Sequence, residues 1–246
     1  MAKSKAVAAF DLAGLRIAIT GGTSGLGHAL VRALHQRNAR VAFCARDAQR
    51  LSRVASELPG TYGIVADVSR KEDIHSLALQ FTALLGGLDV LVNNASSLGP
   101  VPLAPLADTQ CEDFEVAIAA NLLGPFRLTR ALLGALAASA REGHGAVVVN
   151  ISSDAAVNAY ANWGAYGATK AALRHMTSIW QAELDAERIR LLSIDPGDMA
   201  TPLHALAVPE ADPATLRRPE DATADIIAAI EAALPVRDAR ELAAAP

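Results

Sequence analysis

The sequence predicts an α/β fold in which a central parallel β-sheet of six to seven strands is covered by helices on both faces. Short β-branched or apolar runs recur along the chain and predict buried strands at 16–20, 40–45, 62–67, 88–93, 146–152 and 189–195. The segments between them carry apolar residues at helical spacing, such as Leu26, Leu30 and Leu34 after the first run. Because strand and helix alternate, the strands are expected to run parallel and to be joined by right-handed crossovers.

The length of 246 residues and the apolar content of 52% fit one domain, 1–246, with a sizeable core. Residues 1–11 are expected to form a flexible tail. Four prolines interrupt the stretch 201–219, which we predict to be a substrate loop. It follows the sixth strand, at the carboxyl edge of the sheet, where open α/β folds bind ligands. Near the end of the chain, "AREL" at 239–242 is a candidate for a short seventh strand.

The composition argues against several classes of function. A net charge of -4, with Lys and Arg scattered, provides no basic patch for nucleic acid. No apolar run has a length close to the roughly 20 residues of a membrane span, and no signal peptide pattern is present. A cytoplasmic protein is therefore expected. The cysteines, Cys44 and Cys111, and the six histidines lack metal-ligand spacing, so we predict no metal site.

A glycine-rich turn follows the first predicted strand in "IAITGGTSGLGHALVRAL", with glycines spaced as T-G-x-x-x-G-x-G. The helix that follows points free N–H groups and its positive end at the turn, and missing side chains let a pyrophosphate come close. This predicts a dinucleotide site of Rossmann type, although an ordinary strand-to-helix turn has the same pattern. The cofactor-binding residues predicted here are Gly21, Thr23, Ser24, Gly25, Leu26 and Gly27.

The end of the second strand favours NADP over NAD. NAD-binding folds usually place an acidic residue there to bind the ribose 2′-OH, whereas a 2′-phosphate needs a cation. Here Ala45 occupies that position and Arg46 follows it. A guanidinium can bind phosphate through two parallel hydrogen bonds. In the alternative interpretation, Arg46 is a solvated surface residue and Asp47 binds the ribose.

"ADVS" follows the third strand. There, Asp67 is a candidate acceptor for an adenine amino group and Val68 a candidate for packing on the base. An Asp at the end of a strand is equally typical of a helix cap.

Tyr166 and Lys170 lie four residues apart in "AYGATKAAL", so both side chains belong to one helix face. A nearby cation favours the phenolate, and the pair therefore predicts a tyrosine that acts as general acid or base. Ser153 ends the fifth strand, where its hydroxyl can bond a substrate oxygen. Side-chain alternation favours it over Ser152. Asn121 lies in the preceding helix, and Asn93 and Asn94 end strand four.

Together these motifs resemble the short-chain dehydrogenase/reductase family, in its compact branch of roughly 250 residues, over about residues 12–201. The resemblance implies that Tyr166 donates a proton to a carbonyl oxygen while hydride arrives from the nicotinamide, and that Ser153 steadies that oxygen. It implies that Lys170 binds the nicotinamide ribose and lowers the tyrosine pKa, and that Asn121 holds a water for proton relay. It also implies cofactor contacts for Asn93, Ala95, Pro196, Gly197, Met199 and Thr201.

The implied function is an NADP-dependent oxidoreductase that interconverts a ketone or aldehyde and an alcohol. Family members commonly pair two helices across a two-fold axis, which implies a homodimer or a homotetramer. The Ala, Leu and Pro content of 202–216 favours an apolar small-molecule substrate, and the roles of Asp154, Tyr160 and Trp163 stay open. A nucleotide-sensing regulator and a sugar-nucleotide epimerase or dehydratase are the alternatives. Ser96 stands where the family usually has glycine, and the C-terminus lacks the family's glycine-rich end.

Overall fold

The computed structural model describes residues 12–235, and within this range it contains the predicted parallel sheet. The strands run β1 (Arg16–Thr20), β2 (Arg40–Ala45), β3 (Tyr62–Val65), β4 (Val90–Asn93), β5 (Ala146–Ile151) and β6 (Ile189–Ile194). Their order in the sheet is β3-β2-β1-β4-β5-β6, and all pairs are parallel. The doubly wound fold is therefore confirmed, with six strands in the described range. The expectations for 1–11 and 239–242 lie outside the described residues.

Eight α-helices connect or flank these strands in the described part of the chain. They are α1 (Gly25–Gln36), α2 (Ala48–Glu57), α3 (Lys71–Leu85), α4 (Cys111–Ile118), α5 (Gly124–Arg141), α6 (Gly164–Leu184), α7 (Pro202–Ala207) and α8 (Pro219–Ala233). A π-helical turn, Ala119–Leu123, joins α4 to α5. The predicted loop 201–219 thus contains the short helix α7 and the first residue of α8.

The two faces of the sheet form two separate apolar layers, because alternate residues of each strand point to opposite faces. Ile17, Ile19 and Val149 face the layer covered by α1, α2 and α8. Ala18 and Val148 face the layer covered by α3, α5 and α6. This double coverage explains why the central strands are apolar over most of their length.

The stretch Cys111–Arg141, through α4, the π turn and α5, is long and apolar enough to cross a membrane by length and hydropathy. Core helices pass the same test. Leu128, Leu132 and Leu136 of α5 are buried in the layer against the sheet, which accounts for the apolar character of this segment.

Strand order reverses between β1 and β4, because β1 leads outward to β2 and β3 while β4 leads outward to β5 and β6. A crevice opens at such a point at the carboxyl ends of the strands. A buried ion pair lies at the opposite end of the sheet, where Arg16 binds Asp89 through Nη2 at 2.7 Å. Ser139 Oγ also donates to the Asp89 carboxylate, at 2.6 Å.

Candidate active site

A cleft of about 680 Å³ lies at this switch point. Most residues predicted from the sequence to bind cofactor or substrate line it. They are Gly21, Thr23, Ser24, Gly25, Leu26, Arg46, Asp67, Val68, Ala95, Ser153, Tyr166, Lys170, Pro196, Gly197, Met199 and Thr201. Gly27, Asn93 and Asn121 do not line the cleft. They can affect a bound ligand only by positioning their neighbours.

The glycine turn has a backbone geometry that other residue types do not allow. Gly21 has a φ of +71°, in the left-handed region. A Cβ at Gly27 would lie 2.2 Å from the Gly21 carbonyl oxygen, so only glycine lets α1 approach β1 this closely. Ser24 precedes α1 in extended backbone, and its side chain makes no capping bond to the helix. The first N–H groups of α1 thus lack a side-chain cap from Ser24, which itself lines the cleft.

The end of β2 presents positive charge to the cleft. Arg46 lines the cleft and is exposed, with no hydrogen bond or ion pair to any residue between 12 and 235. Asp47 instead caps α2, since its Oδ1 accepts from the N–H groups of Gln49 and Arg50 at 2.9 and 3.0 Å. Its Oδ2 lies 3.4 Å from Arg50 Nε. The alternative role of Asp47 as a ribose ligand therefore competes with helix capping.

Asp67 stabilises the turn after β3 and does not take the helix-capping role left open by the sequence. Its Oδ1 accepts from both Ser69 N and Ser69 Oγ, at 2.9 and 2.7 Å, in a turn that ends β3. It does not cap α3, whose N-cap residue is Arg70. Val68 is buried beside it on the cleft wall. This pair forms the side of the cleft next to Arg46 and away from Tyr166.

Tyr166 and Lys170 lie on α6 and are both buried, with exposed fractions of 8% and 2%. Lys170 Nζ donates to the Ile151 carbonyl at 2.8 Å and lies 5.4 Å from the centre of the Tyr166 ring. Burial lowers the pKa of Lys170 to about 8. The expected lowering of the tyrosine pKa is not found in the chain alone, because burial raises the pKa of Tyr166 to about 12.

Two serine hydroxyls approach the Tyr166 phenol and partly offset the effect of burial on its pKa, first Ser153 and then Ser96. Ser153 follows β5, and its Oγ accepts from Ala155 N at 3.2 Å. Ser96, the residue that departs from the family pattern, donates to Asn121 Oδ1 at 3.0 Å. The phenol therefore faces a hydroxyl on each of two neighbouring segments.

The Asn121 side-chain amide is hydrogen-bonded within the protein. Its Nδ2 donates to Ser97 O and Thr169 Oγ1, at 2.7 and 2.9 Å. Its Oδ1 accepts from Ser97 N and Ser96 Oγ, at 2.8 and 3.0 Å. All four hydrogen-bonding positions of the amide are thus occupied by protein. The side chain, held in the π turn Ala119–Leu123, fixes the 96–97 segment against α6. The role of Asn121 in holding a relay water stays a prediction.

The prediction that Asn93 contacts the cofactor is wrong for its side chain, which lies in the core. Asn93 Nδ2 donates to Asn150 Oδ1 at 2.8 Å and to Thr129 Oγ1 at 3.1 Å. Asn150 in turn donates to Thr177 Oγ1 on α6 at 2.9 Å. Asn94 is the residue that lines the cleft, and its Nδ2 donates to Thr20 O at 2.9 Å.

The segment after β6 covers the cleft at the Tyr166 end. Thr201 caps α7 by accepting from His204 N at 3.2 Å, and Ala200 N donates to Arg217 O at 2.9 Å. Leu203 and Ala207 pack against the apolar cluster that contains Tyr166. Only the first part of the predicted loop, up to Val208, reaches the cleft.

The sequence analysis assigned no site to several residues that line the cleft: Arg50, Ser69, Asn94, Ser96, Ser97, Leu98, Ser152 and His204. Ser152 is 5% exposed, and no residue of the described chain bonds its Oγ. Four of these eight residues, Ser69, Asn94, Ser96 and Ser152, directly neighbour a predicted residue in sequence. Adjacency to strand ends is thus the signal that identifies them.

The residues present fit a dinucleotide. The cleft runs from the cationic end of β2, past a glycine turn that a Cβ would fill, to the buried Tyr166 and Lys170. The free guanidinium of Arg46 and the open end of α1 suit phosphate groups, which need positive charge and N–H donors.

The sheet order and this set of side chains define an oxidoreductase of the doubly wound α/β class. The family model described as short chain dehydrogenase matches residues 16–211. L-fucose dehydrogenase of Bos taurus is 36% identical over 207 residues, which are 83% of this chain and 74% of that relative. L-xylulose reductase of Bos taurus is 30% identical, over 78% of this chain and 75% of the relative.

Solved structures agree with these relatives. A 3-ketoacyl-(acyl-carrier-protein) reductase from Brucella melitensis, complexed with NADH, has a TM-score of 0.81 at 26% identity and covers 88% of this chain and 90% of its own. A short chain dehydrogenase from Shigella flexneri, complexed with NADP, has a TM-score of 0.78 at 28% identity, covering 86% and 89%. The chain belongs to the short-chain dehydrogenase family.

Proposed function

We propose that the protein is an NADP-dependent oxidoreductase that interconverts a carbonyl compound and an alcohol. The observation that carries the proposal is the position of Ser153, Tyr166 and Lys170 at one end of a cleft whose other end contains the glycine turn and Arg46. Similar proteins complexed with NADH and NADP support a nicotinamide cofactor. When bound, the nicotinamide supplies or accepts the hydride.

Tyr166 is the proton donor for carbonyl reduction. With a pKa raised to about 12, its phenol keeps its proton at neutral pH and can give it to an oxygen that gains negative charge. Ser153 steadies this oxygen, because its hydroxyl lies beside the phenol and can turn its one O–H from the Asp154 carboxylate to that oxygen. In the oxidation direction the phenolate must accept the proton, so that reaction is favoured by high pH.

Lys170 stabilises the phenolate as it forms and binds the ribose. One of its three N–H donors is fixed by the Ile151 carbonyl, which aims the ammonium along the cleft wall. Its pKa of about 8 leaves it mostly protonated at neutral pH. Asn121 is a positioning residue, since its amide holds Ser96 and Ser97 in place against α6.

The other cofactor contacts follow from the cleft wall. Arg46 binds the 2′-phosphate, which gives the preference for NADP, while Asp67 and Val68 bind the adenine. The turn of Pro196 and Gly197, with Met199 and Thr201, contacts the nicotinamide end.

The reaction is tested by loss of NADPH absorbance with a panel of carbonyl compounds. Tyr166→Phe removes only the hydroxyl, and we expect turnover to fall by about 10² to 10⁴, the usual contribution of general acid catalysis. Calorimetry should show unchanged NADPH binding, because the ring is kept. Tyr62→Phe is the matched control, since Tyr62 lies on β3 outside the cleft.

Near-normal turnover by Tyr166→Phe would exclude the phenol as the acid. NADPH binding without turnover of any carbonyl compound would support a nucleotide-sensing regulator instead. Lys170→Met should weaken both NADPH binding and turnover, because the ammonium serves both; an effect on neither would contradict its assigned role.

A further inference from the structure

The residue after Ser153 brings a carboxylate into the cleft. Asp154 Oδ1 accepts a hydrogen bond from Ser153 Oγ at 3.2 Å, and Asp154 Oδ2 accepts one from Tyr160 Oη at 2.6 Å. Asp154 and Tyr160 both line the cleft. Across residues 12–235, no Lys, Arg or His forms an ion pair with Asp154. Neutral hydroxyls are therefore the side-chain donors that hold this negative charge.

The carboxylate keeps capacity for further hydrogen bonds. An ionised carboxylate has about four acceptor sites, and two are used here. A substrate that covers Asp154 removes the water from the other sites. If that substrate is apolar, the carboxylate loses these bonds and binding is penalised. Asp154 thus discriminates against apolar surface and in favour of a group that donates hydrogen bonds.

The position of this donor group follows from Ser153. Under the function proposed above, Ser153 turns its one O–H from Asp154 to the reacting oxygen, and the Asp154 carboxylate stays beside it, with Oδ1 3.2 Å from Ser153 Oγ. A group that reaches Asp154 is therefore carried by a carbon next to the reacting carbonyl. Trp163 stacks edge-on against Tyr166, with ring centres 5.7 Å apart, and Leu98 and Leu203 belong to the same apolar cluster. Such a wall suits the C–H face of a neutral molecule.

We propose that the substrate is a hydroxylated carbonyl compound, of the chemical class of sugars and hydroxy ketones, and that Asp154 is the residue that selects it. Asp154 accepts a hydrogen bond from the hydroxyl next to the carbonyl, and Tyr160 holds the carboxylate in place. A neutral hydroxyl fits better than an ammonium, because the apolar wall would remove water from a charged group. This substrate class differs from the apolar one expected from the composition of 202–216, and it rests on the proposed function.

The test compares matched substrates: a ketone without hydroxyl groups, its α-hydroxylated and polyhydroxylated counterparts, and an α-amino ketone. The value of kcat/KM is measured by NADPH oxidation for the wild type, Asp154→Ala, Asp154→Asn and Tyr160→Phe. Asp108→Ala is the control for loss of a carboxylate, since Asp108 is exposed and lies outside the cleft. Calorimetric binding of the polyol product gives a readout independent of turnover, and thermal unfolding checks that each variant folds.

We expect the wild type to prefer the hydroxylated compounds, and Asp154→Ala to reduce this preference by about 10- to 100-fold, the range for a hydrogen bond to a charged group. Asp154→Asn and Tyr160→Phe should give smaller losses, and Asp108→Ala none. Three results would overturn the proposal. They are an unchanged preference in the folded Asp154→Ala variant, a wild-type preference for the amino ketone or the unhydroxylated ketone, and an affinity for the polyol that is the same with and without the Asp154 carboxylate. In those cases Tyr166-dependent reduction of any ketone would leave the proposed function intact, whereas its absence would remove both.

Discussion

Replacing Arg46 by alanine should change the choice between the two nicotinamide cofactors. Arg46 is exposed, unpartnered within the described range and located at the end of β2 beside the cleft. A hydrogen bond to a charged group contributes about 1.5 to 3 kcal/mol, which is roughly 10- to 150-fold in a dissociation constant. Since Arg50 lines the same end of the cleft and keeps part of the attraction, we expect the low end of this range for NADPH. NADH, which has no 2′-phosphate, should bind as before.

Calorimetric titration of both cofactors, at two salt concentrations, measures this effect. Arg53→Ala is the matched control, because Arg53 is exposed on α2, the helix that follows Arg46, and lies outside the cleft. The reasoning is refuted if the wild type binds NADH as tightly as NADPH, or if Arg46→Ala weakens both cofactors equally. A tighter binding of NADH by Asp47→Ala would further show that Asp47 is not a ribose ligand.

Three further predictions concern other parts of the molecule. Ser96→Gly should raise the pKa of Tyr166, because the Ser96 hydroxyl opposes the effect of burial on that pKa. The rate of alcohol oxidation should then rise at a higher pH than in the wild type. An unchanged pH profile would exclude this contact. Asp89→Ala leaves the guanidinium of Arg16 without its buried partner and should lower the free energy of unfolding by about 3 kcal/mol in chemical denaturation, whereas a loss below about 1 kcal/mol would contradict this. Light scattering should give the mass of a dimer formed through α5 and α6; a monomer at micromolar concentration would disprove it.

The sheet was predictable because its strands are buried on both faces. An uninterrupted apolar run such as 146–149 has few alternatives when helical segments lie on either side of it. The predicted bounds differ by two residues at the start of β4, which begins at Val90, and at the end of β3, which stops at Val65 where 62–67 was expected. The turn made by Asp67 and Ser69 ends it, and a side-chain bond of this kind is not visible in hydrophobic periodicity.

The site was predictable where local sequence fixes geometry and unpredictable where tertiary packing does. The spacing of Tyr166 and Lys170 places them on one face of α6, whatever surrounds them. Their pKa values depend on burial, which the spacing does not contain. Burial raises the pKa of Tyr166 in the chain alone, and the lowering of that pKa by Lys170 stays a prediction. Asn93 lies in a strand with apolar residues on both faces. The local sequence therefore does not show whether its amide points into the core or into the cleft. The four partners of Asn121 come from segments distant in sequence.

The buried amides of Asn93 and Asn150 have a consequence for the alignment of the central strands. β4 and β5 are apolar on both faces, so sliding one past the other by a residue would bury almost as much hydrocarbon and would be weakly opposed by the hydrophobic effect. The same shift would separate the two buried amides, which could not replace their lost hydrogen bonds with bonds to water. Because Ser153 follows Asn150 by three residues, the pair that fixes this alignment also fixes where the serine hydroxyl stands relative to Tyr166.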